Sequence, residues 1–297
     1  MVTSMARTQD YYLDHGSLGA PEISAAGLPH DLGELCRVVQ GFLIHRDLAA
    51  PFYETKLSPQ ARDLANMRSV GTILAKVQQD QRPLTEARDP AARLPCVCLH
   101  FSTVLAALLR EQGVPARARC GFGTYFTPGR FEDHWVAEYW NEDAGRWILV
   151  DAQLDAAQVK IFKPDFNPLD VPRNRFILAG DAWLMCREGR ADENKFGLSF
   201  LNEQGLWWIA ANLIRDVASL NRVPMLPWDV WGMMREPGQT YDVAEAALLD
   251  RVAKLTLAGD AALPELIEIY QDPRFAVPGS VFNADRKISE PVWPAPA

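Results

Sequence analysis

Apolar positions change their spacing twice along this chain, dividing it into a helical part, a strand-rich part and a second helical part. In the first, Leu35, Val38, Val39, Phe42 and Leu43 recur at helical spacing, and Leu64, Met67, Val70, Ile73 and Leu74 follow the same period behind Ser58-Pro59, a pair that favours a helix start. Pro83, Pro90 and Pro95 then break QRPLTEARDPAARLPC, which predicts an extended connector. Behind it, Phe101, Val104, Leu105, Leu108 and Leu109 form the stripe of a helix that stops at Gly113-Val114-Pro115.

The period then shortens to two. VPARARCGFGTYF, DHWVAEYW and GRWILVDAQL are short, rich in aromatic or branched residues, and separated by turn-forming PGRFE and NEDAG, which predicts antiparallel strands. Residues 164–175 read as a loop. AGDAWLMCREG, GLWWIAANLIRDVASL, DVAEAALLDRVAKLTL and ALPELIEIYQD return to helical spacing, while PMLPWDVWGMMREPG is apolar but interrupted by proline and is assigned to the core. The fold expected is α+β: a helix packed on an antiparallel sheet, with helical extensions at both ends. The corresponding segments are 1–80 (helical, packed on the core), 81–163 (core), 164–278 (mostly helical) and 279–297 (a flexible tail).

Composition narrows the function classes. A formal charge of -8 without a basic block speaks against nucleic-acid binding. The first residues lack an apolar signal core and no window reaches membrane-span length, so no membrane partner is expected and the default location is cytoplasmic. Five cysteines, at 36, 96, 98, 120 and 186, are odd in number and widely spread, which predicts reduced thiols. GFGTYFTPG lacks the Lys-Ser/Thr of a phosphate loop, and neither HExxH, EF-hand nor Rossmann patterns occur.

Cys98 falls in or just before the first turn of the proline-flanked helix, where the helix N-terminus would lower a thiol pKa. By position alone a buried filler is the stronger reading, because free cysteine packs as a small apolar residue. In DHWVAEYW, alternation places His134, Val136 and Glu138 on one face and Trp135, Ala137 and Tyr139 on the other. Asp151 ends the next strand, where its carboxylate could orient His134 while the other ring nitrogen faces Cys98. Cys96 is a resolving-thiol candidate, although C-x-C is a weaker redox signature than C-x-x-C. Cys96, Cys98 and Cys120 lack the second paired ligand motif that zinc requires, so no metal and no cofactor is expected. Leu99, His100, Glu132, Asp133 and Trp135 flank these positions and are the candidate substrate contacts. Trp140 and Trp147 are assigned to packing beside the histidine strand.

The blocks CLHFSTVLAALLREQGVPARARCGF, HWVAEYW and WILVDAQLD, taken in order, resemble the transglutaminase-like superfamily, the papain-like group in which a helix-borne cysteine precedes histidine and aspartate on neighbouring strands. The resemblance spans about residues 70–155, and the flanking helices are similar to the extensions of uncharacterised bacterial members. It implies Cys98 as nucleophile, His134 as general base and acid, Asp151 as orienting carboxylate, and a structural role for Arg117. Leu99 and His100 stand where many members carry a polar, often charged pair. The implied activity is cysteine-dependent acyl transfer through a thioester on a small-molecule or peptide acyl substrate, with an amine acceptor or water. A cysteine peptidase and a non-catalytic binding or scaffold protein of the same fold are the alternatives; oligomeric state is left open.

Overall fold

The computed structural model describes residues 7–18 and 27–293. Helix α1 (Leu32–Phe42) starts where the Asp31 carboxylate accepts the Glu34 N–H at 2.9 Å, and it buries Leu35, Val38, Val39 and Phe42. The helical period ends one residue early, because Leu43 opens strand β1 (Leu43–His45), which runs parallel to β2 (Leu94–Cys96) in the proline-broken connector. Short helix α2 (Ala49–Tyr53) follows. The apolar run after Ser58, expected as one helix, is two: α3 (Pro59–Asp63), capped by the Ser58 hydroxyl, and α4 (Val70–Val77). A 3-10 turn (Leu64–Asn66) follows α3, and the chain is then extended over 67–69, where Arg68 reaches inward to pair with the fully buried Asp229 at 2.6 and 2.8 Å. A charge-assisted bidentate pair outweighs the few tenths of a kcal/mol per residue that helix propensity supplies.

Helix α5 (Cys98–Glu111) is buried from Cys98 through Leu109, with Val104, Leu105 and Leu108 between α1 and α4 on one side and Ala116, Ala137 and Val150 of the sheet on the other. Gly113, at φ +77°, takes the left-handed turn that ends it. Strands β3 (Ala116–Gly123), β4 (Phe131–Asn141) and β5 (Arg146–Val150) form the antiparallel meander predicted, with Gly121 opposite His134 and Ala137 opposite Val150. The alternation along β4 is as read: Trp135 and Ala137 pack on the α5 side, and Val136 packs with Leu149 and Phe176 on the other.

Helix α6 (Ala156–Phe162), capped by Asp155, leads out of the meander. Residues beyond 163 then return to the same sheet. Strand β6 (Phe176–Leu178) pairs with β3; helix α7 (Ala179–Arg187) follows; β7 (Phe196–Leu198) runs parallel to the start of β4, and β8 (Glu203–Gln204) pairs with β7. Helix α8 (Leu206–Leu220) covers the remaining outer edge of β3, where Asp216 accepts the Cys120 N–H at 2.9 Å and the Ser219 hydroxyl donates to the Ala118 carbonyl at 2.7 Å. Side chains thus occupy edge groups that a further strand would otherwise pair.

The proline-interrupted segment after α8 is core, with Met225, Leu226, Trp231 and Met233 buried, and it contains β9 (Asp229–Val230). Helices α9 (Val243–Leu257) and α10 (Leu263–Ile269) follow. The tail expected to be flexible from 279 is instead a hairpin, β10 (Ser280–Asn283) and β11 (Ile288–Pro291), paired onto β9. Val281 and Val292 enter the core, and Asn283 donates to Asn66 at 2.8 Å, which holds the hairpin down. Residues 294–297 of that segment lie outside the described residues.

One buried ionic network crosses these layers. Glu138 accepts Arg117 Nε–H at 2.7 Å and Arg119 Nη1–H at 3.0 Å, Arg173 also reaches it, and Arg119 turns its remaining donors to Asp216 at 2.9 and 3.0 Å. Arg117 is stacked between Trp147 at 4.0 Å and Tyr12 at 4.5 Å, a structural position. Burial alone would raise the Glu138 pKa, but three guanidinium groups hold it well below the usual carboxylate range. Glu138→Ala takes from buried Arg117 its hydrogen-bonded carboxylate and from Arg119 one of two, Asp216 remaining, and is expected to lower unfolding free energy by about 3–5 kcal/mol, read from urea midpoints at pH 7.

Candidate active site

Cys98 is the first residue of α5, and its neighbours explain how the helix starts without a Ser, Thr, Asp or Asn cap. The Val97 N–H donates to His100 Nδ1 at 3.1 Å, which places the ring proton on Nε2, and Nε2–H donates to the Met67 carbonyl at 2.8 Å. His100 ties the helix start to the extended break between α3 and α4. Both of its nitrogens are used, and its imidazole is driven to a pKa of about 4, chiefly by burial.

Sheet topology supplies the place for the thiol. One edge of β4 pairs with β3 along its length, while the other pairs with β7 at Phe131 and Glu132 and with β5 from Ala137 onward. Among the described residues, no strand therefore pairs with 133–136 on that edge, and the backbone N–H of Trp135 lies by the Cys98 sulfur, as does that of Leu99. His134 extends from the same gap, and Nε2–H donates to Asp151 Oδ2 at 2.9 Å, just past the last residue of β5. Nδ1 is left for another partner. Asp151 receives two further donors, Tyr125 Oη–H on Oδ2 at 2.6 Å and Gln153 N–H on Oδ1 at 3.0 Å. Phe126 packs edge-on against the imidazole at 4.7 Å and Tyr125 at 6.0 Å.

The electrostatics correct one expectation. The thiol of Cys98 is pushed well above its usual pKa, first by burial and then by the nearby Asp133 carboxylate; the N–H groups of Trp135 and Leu99 oppose this but do not overcome it. The helix start is too deeply buried for its N–H groups to hold a resting thiolate. Asp133 is itself raised to about 6 by burial, against Arg215 and an Asn212 hydrogen bond of 3.0 Å. Cys96 and Cys120 are likewise raised by burial, and all five cysteines are free thiols.

The five candidate substrate contacts are buried. Leu99 and Trp135 pack together with Val97, Ala118 and Cys120; His100 holds the helix start; Glu132 accepts the Ser199 N–H at 3.0 Å; and Asp133 binds Asn212. Among the described residues, the indole N–H of Trp135 has no hydrogen-bond partner. Sequence reasoning missed the aromatic cover made by Tyr125, Phe126, Phe162 and Phe166, whose rings touch in series at 4.4 to 5.0 Å. Outside it lies a recess of about 130 Å³ lined by Thr124, Tyr125, Phe162, Lys163 and Arg175. The glycines of GFGTYF were the available signal: a Cβ on Gly123 would lie 2.6 Å from the Phe126 ring. Among the described residues, no cluster of three or more His, Cys, Asp or Glu is arranged to hold a metal ion, and no helix is long and apolar enough to cross a membrane.

Comparison with known proteins places the region around this site in a broad group. Residues 55–152, less than half of the chain, match the Transglutaminase-like superfamily. A protein-glutamine gamma-glutamyltransferase of Pseudomonas aeruginosa is 28% identical over 123 residues, which are 39% of this chain and 17% of that protein, so the chain spans only a small part of that relative. A crystallised protein of Cytophaga hutchinsonii, provisionally assigned as a cysteine protease, aligns at 21% identity over 54% of this chain and 52% of its own, with a TM-score of 0.20. The link is to the transglutaminase-like superfamily at large, over about a third of the chain.

The His100 ring gives a stability test. Its pKa is lowered on folding from 6.5 to about 4, so the unfolded chain binds more protons between those values. The stabilisation is complete above about pH 6.5 and is lost as the pH falls towards 4. His100→Gln is expected to be less stable than the parent at pH 7 and to show a shallower loss from pH 7 to 5, read as the difference in urea midpoints between the two proteins.

Proposed function

We propose that this protein is a cysteine-dependent acyl-transfer enzyme in which Cys98 is the nucleophile, His134 the general base and acid, and Asp151 the orienting carboxylate. The observation that carries the reading is the His134–Asp151 hydrogen bond of 2.9 Å beside the unpaired stretch of β4 at which the Cys98 sulfur lies. The superfamily match over residues 55–152 supports it.

With the resting thiol protonated, the reaction begins by transfer of the Cys98 proton to His134 Nδ1 as sulfur attacks the acyl carbon. The imidazolium keeps Nε2–H on Asp151 and is stabilised by that carboxylate. Collapse of the tetrahedral intermediate breaks the bond to the leaving amine, which takes the proton from His134, and leaves a thioester on Cys98. Water or a second amine then gives its proton to His134 and attacks the thioester, and the proton returns to sulfur as the product leaves. The backbone N–H groups by the sulfur are the donors that this reading assigns to the oxyanion. The acyl group comes from a small molecule or a peptide, and the superfamily relative named above favours a side-chain amide as donor.

An activated ester such as p-nitrophenyl acetate tests the chemistry without knowledge of the natural substrate. The parent protein is expected to release nitrophenolate and gain one acetyl group on Cys98 by intact-mass measurement, with Cys98→Ala inert and His134→Ala slower by about 10²-fold or more. Equal acylation of the parent and Cys98→Ala proteins would refute the assignment. A second variant, Asp151→Asn, is expected to retain the acylation site but lose rate, because an amide no longer stabilises the imidazolium.

A further inference from the structure

We propose that Tyr125 is a positioning residue of this site: its hydroxyl pins the Asp151 carboxylate by occupying the same oxygen to which His134 donates. The inference rests on the function proposed above. Tyr125 Oη–H reaches Oδ2 at 2.6 Å, a shorter contact than the 2.9 Å of His134 Nε2–H on that atom, while Gln153 N–H fixes Oδ1 at 3.0 Å. The carboxylate is thereby held at both oxygens and its rotation is blocked. The Tyr125 ring is held in turn, edge-on to His134 and in contact with Phe126 at 4.4 Å and Phe166 at 5.0 Å. Gly123 at the end of β3 permits this return of the chain, since a Cβ there would meet the Phe126 and Tyr125 rings at 2.6 and 3.1 Å. Burial and the adjacent Asp151 charge keep the phenol protonated, so it acts as a donor throughout the neutral range.

Two donors on one carboxylate oxygen disperse its charge. The Tyr125 hydroxyl therefore weakens the hold of Asp151 on a protonated His134, keeping the imidazole available to take the Cys98 proton. Loss of the hydroxyl concentrates the charge on His134 and moves the onset of thiol reactivity to higher pH.

Alkylation of the full chain by iodoacetamide reads this directly. The Cys98 sulfur forms a bond to the methylene carbon, iodide leaves, and the thiol proton passes to His134 and then to solvent. The rate at Cys98, followed by peptide mass spectrometry from pH 5 to 9, is expected to rise along an acid limb that His134→Ala removes. Tyr125→Phe keeps the ring and is expected to move the midpoint of that limb upward by about half a unit or more, roughly threefold in rate at fixed pH. Phe166→Leu, which loosens the packing that holds the ring but leaves the hydroxyl in place, is expected to move the midpoint by less than Tyr125→Phe does. An unmoved midpoint in Tyr125→Phe, or an equal shift in Phe166→Leu, overturns the positioning role while the function proposed for Cys98 and His134 stands. Survival of the limb in His134→Ala overturns that underlying reading instead.

Discussion

The structure depends on a single carboxylate that cannot be left alone. Glu138, on strand β4 opposite Arg117 of β3, is shut off from solvent, and three arginines converge on it. Through Arg119 and Asp216 the same network anchors α8, and through Arg117 it reaches Tyr12 and Trp147. Elements more than a hundred residues apart in the chain therefore share one set of charges. Such groups add little net stability over an apolar packing, but they are severe about geometry, because a misplaced partner leaves a charge buried and unpaired. Glu138 lies on the same face of β4 as His134, so the network that fixes the strand also fixes the imidazole above it.

Around Cys98 the same principle works in the opposite sense. The thiol is buried; the N–H groups of Trp135 and Leu99 favour its anion, while the carboxylates of Asp133 and Asp151 oppose it. Dehydration and negative charge both favour the neutral form, so the nucleophile proposed here is made at the moment of reaction rather than stored as an ion pair. That arrangement places the burden on proton transfer, and hence on the orientation of His134.

Much of this was visible in the sequence where the pattern is long. Helix α5 and strands β3 to β5 follow from a change of period from helical to two; Cys98, His134 and Asp151 could be picked out on those elements, and their joint role came from the family resemblance and stands as the function proposed above. Strands β6 to β11 have two to four residues each, too few for alternation to register, and pairing with distant partners creates them. The break at Met67–Ser69 was hidden because its cause, Asp229, lies far along the chain. The ordered hairpin at 280–291 was hidden for the same reason: its buried Asn283 and Val281 make sense only against Asn66 and the C-terminal core. Leu99 and His100 drew notice because they stand where many superfamily members carry a polar pair; their depth in the fold, where Leu99 packs and His100 ties down the helix start, has no signature in the sequence. Tyr125 has no motif; its role arises because glycine lets two aromatic rings turn back over the strand it follows.

The unbroken ladder between β3 and β4 carries a consequence for how this site can vary. Eight consecutive residue pairs, from Ala116 opposite Tyr139 to Gly123 opposite Glu132, proceed without a bulge. Side chains alternate along a strand, so a slip of one residue would carry His134 through the sheet and bring Asp133 or Trp135 to the face of Asp151. Insertions within β4 are therefore far more damaging than insertions of equal length in the loop after Gly129, which leave the pairing intact. The site is written as much in the parity of a strand as in the identity of its residues.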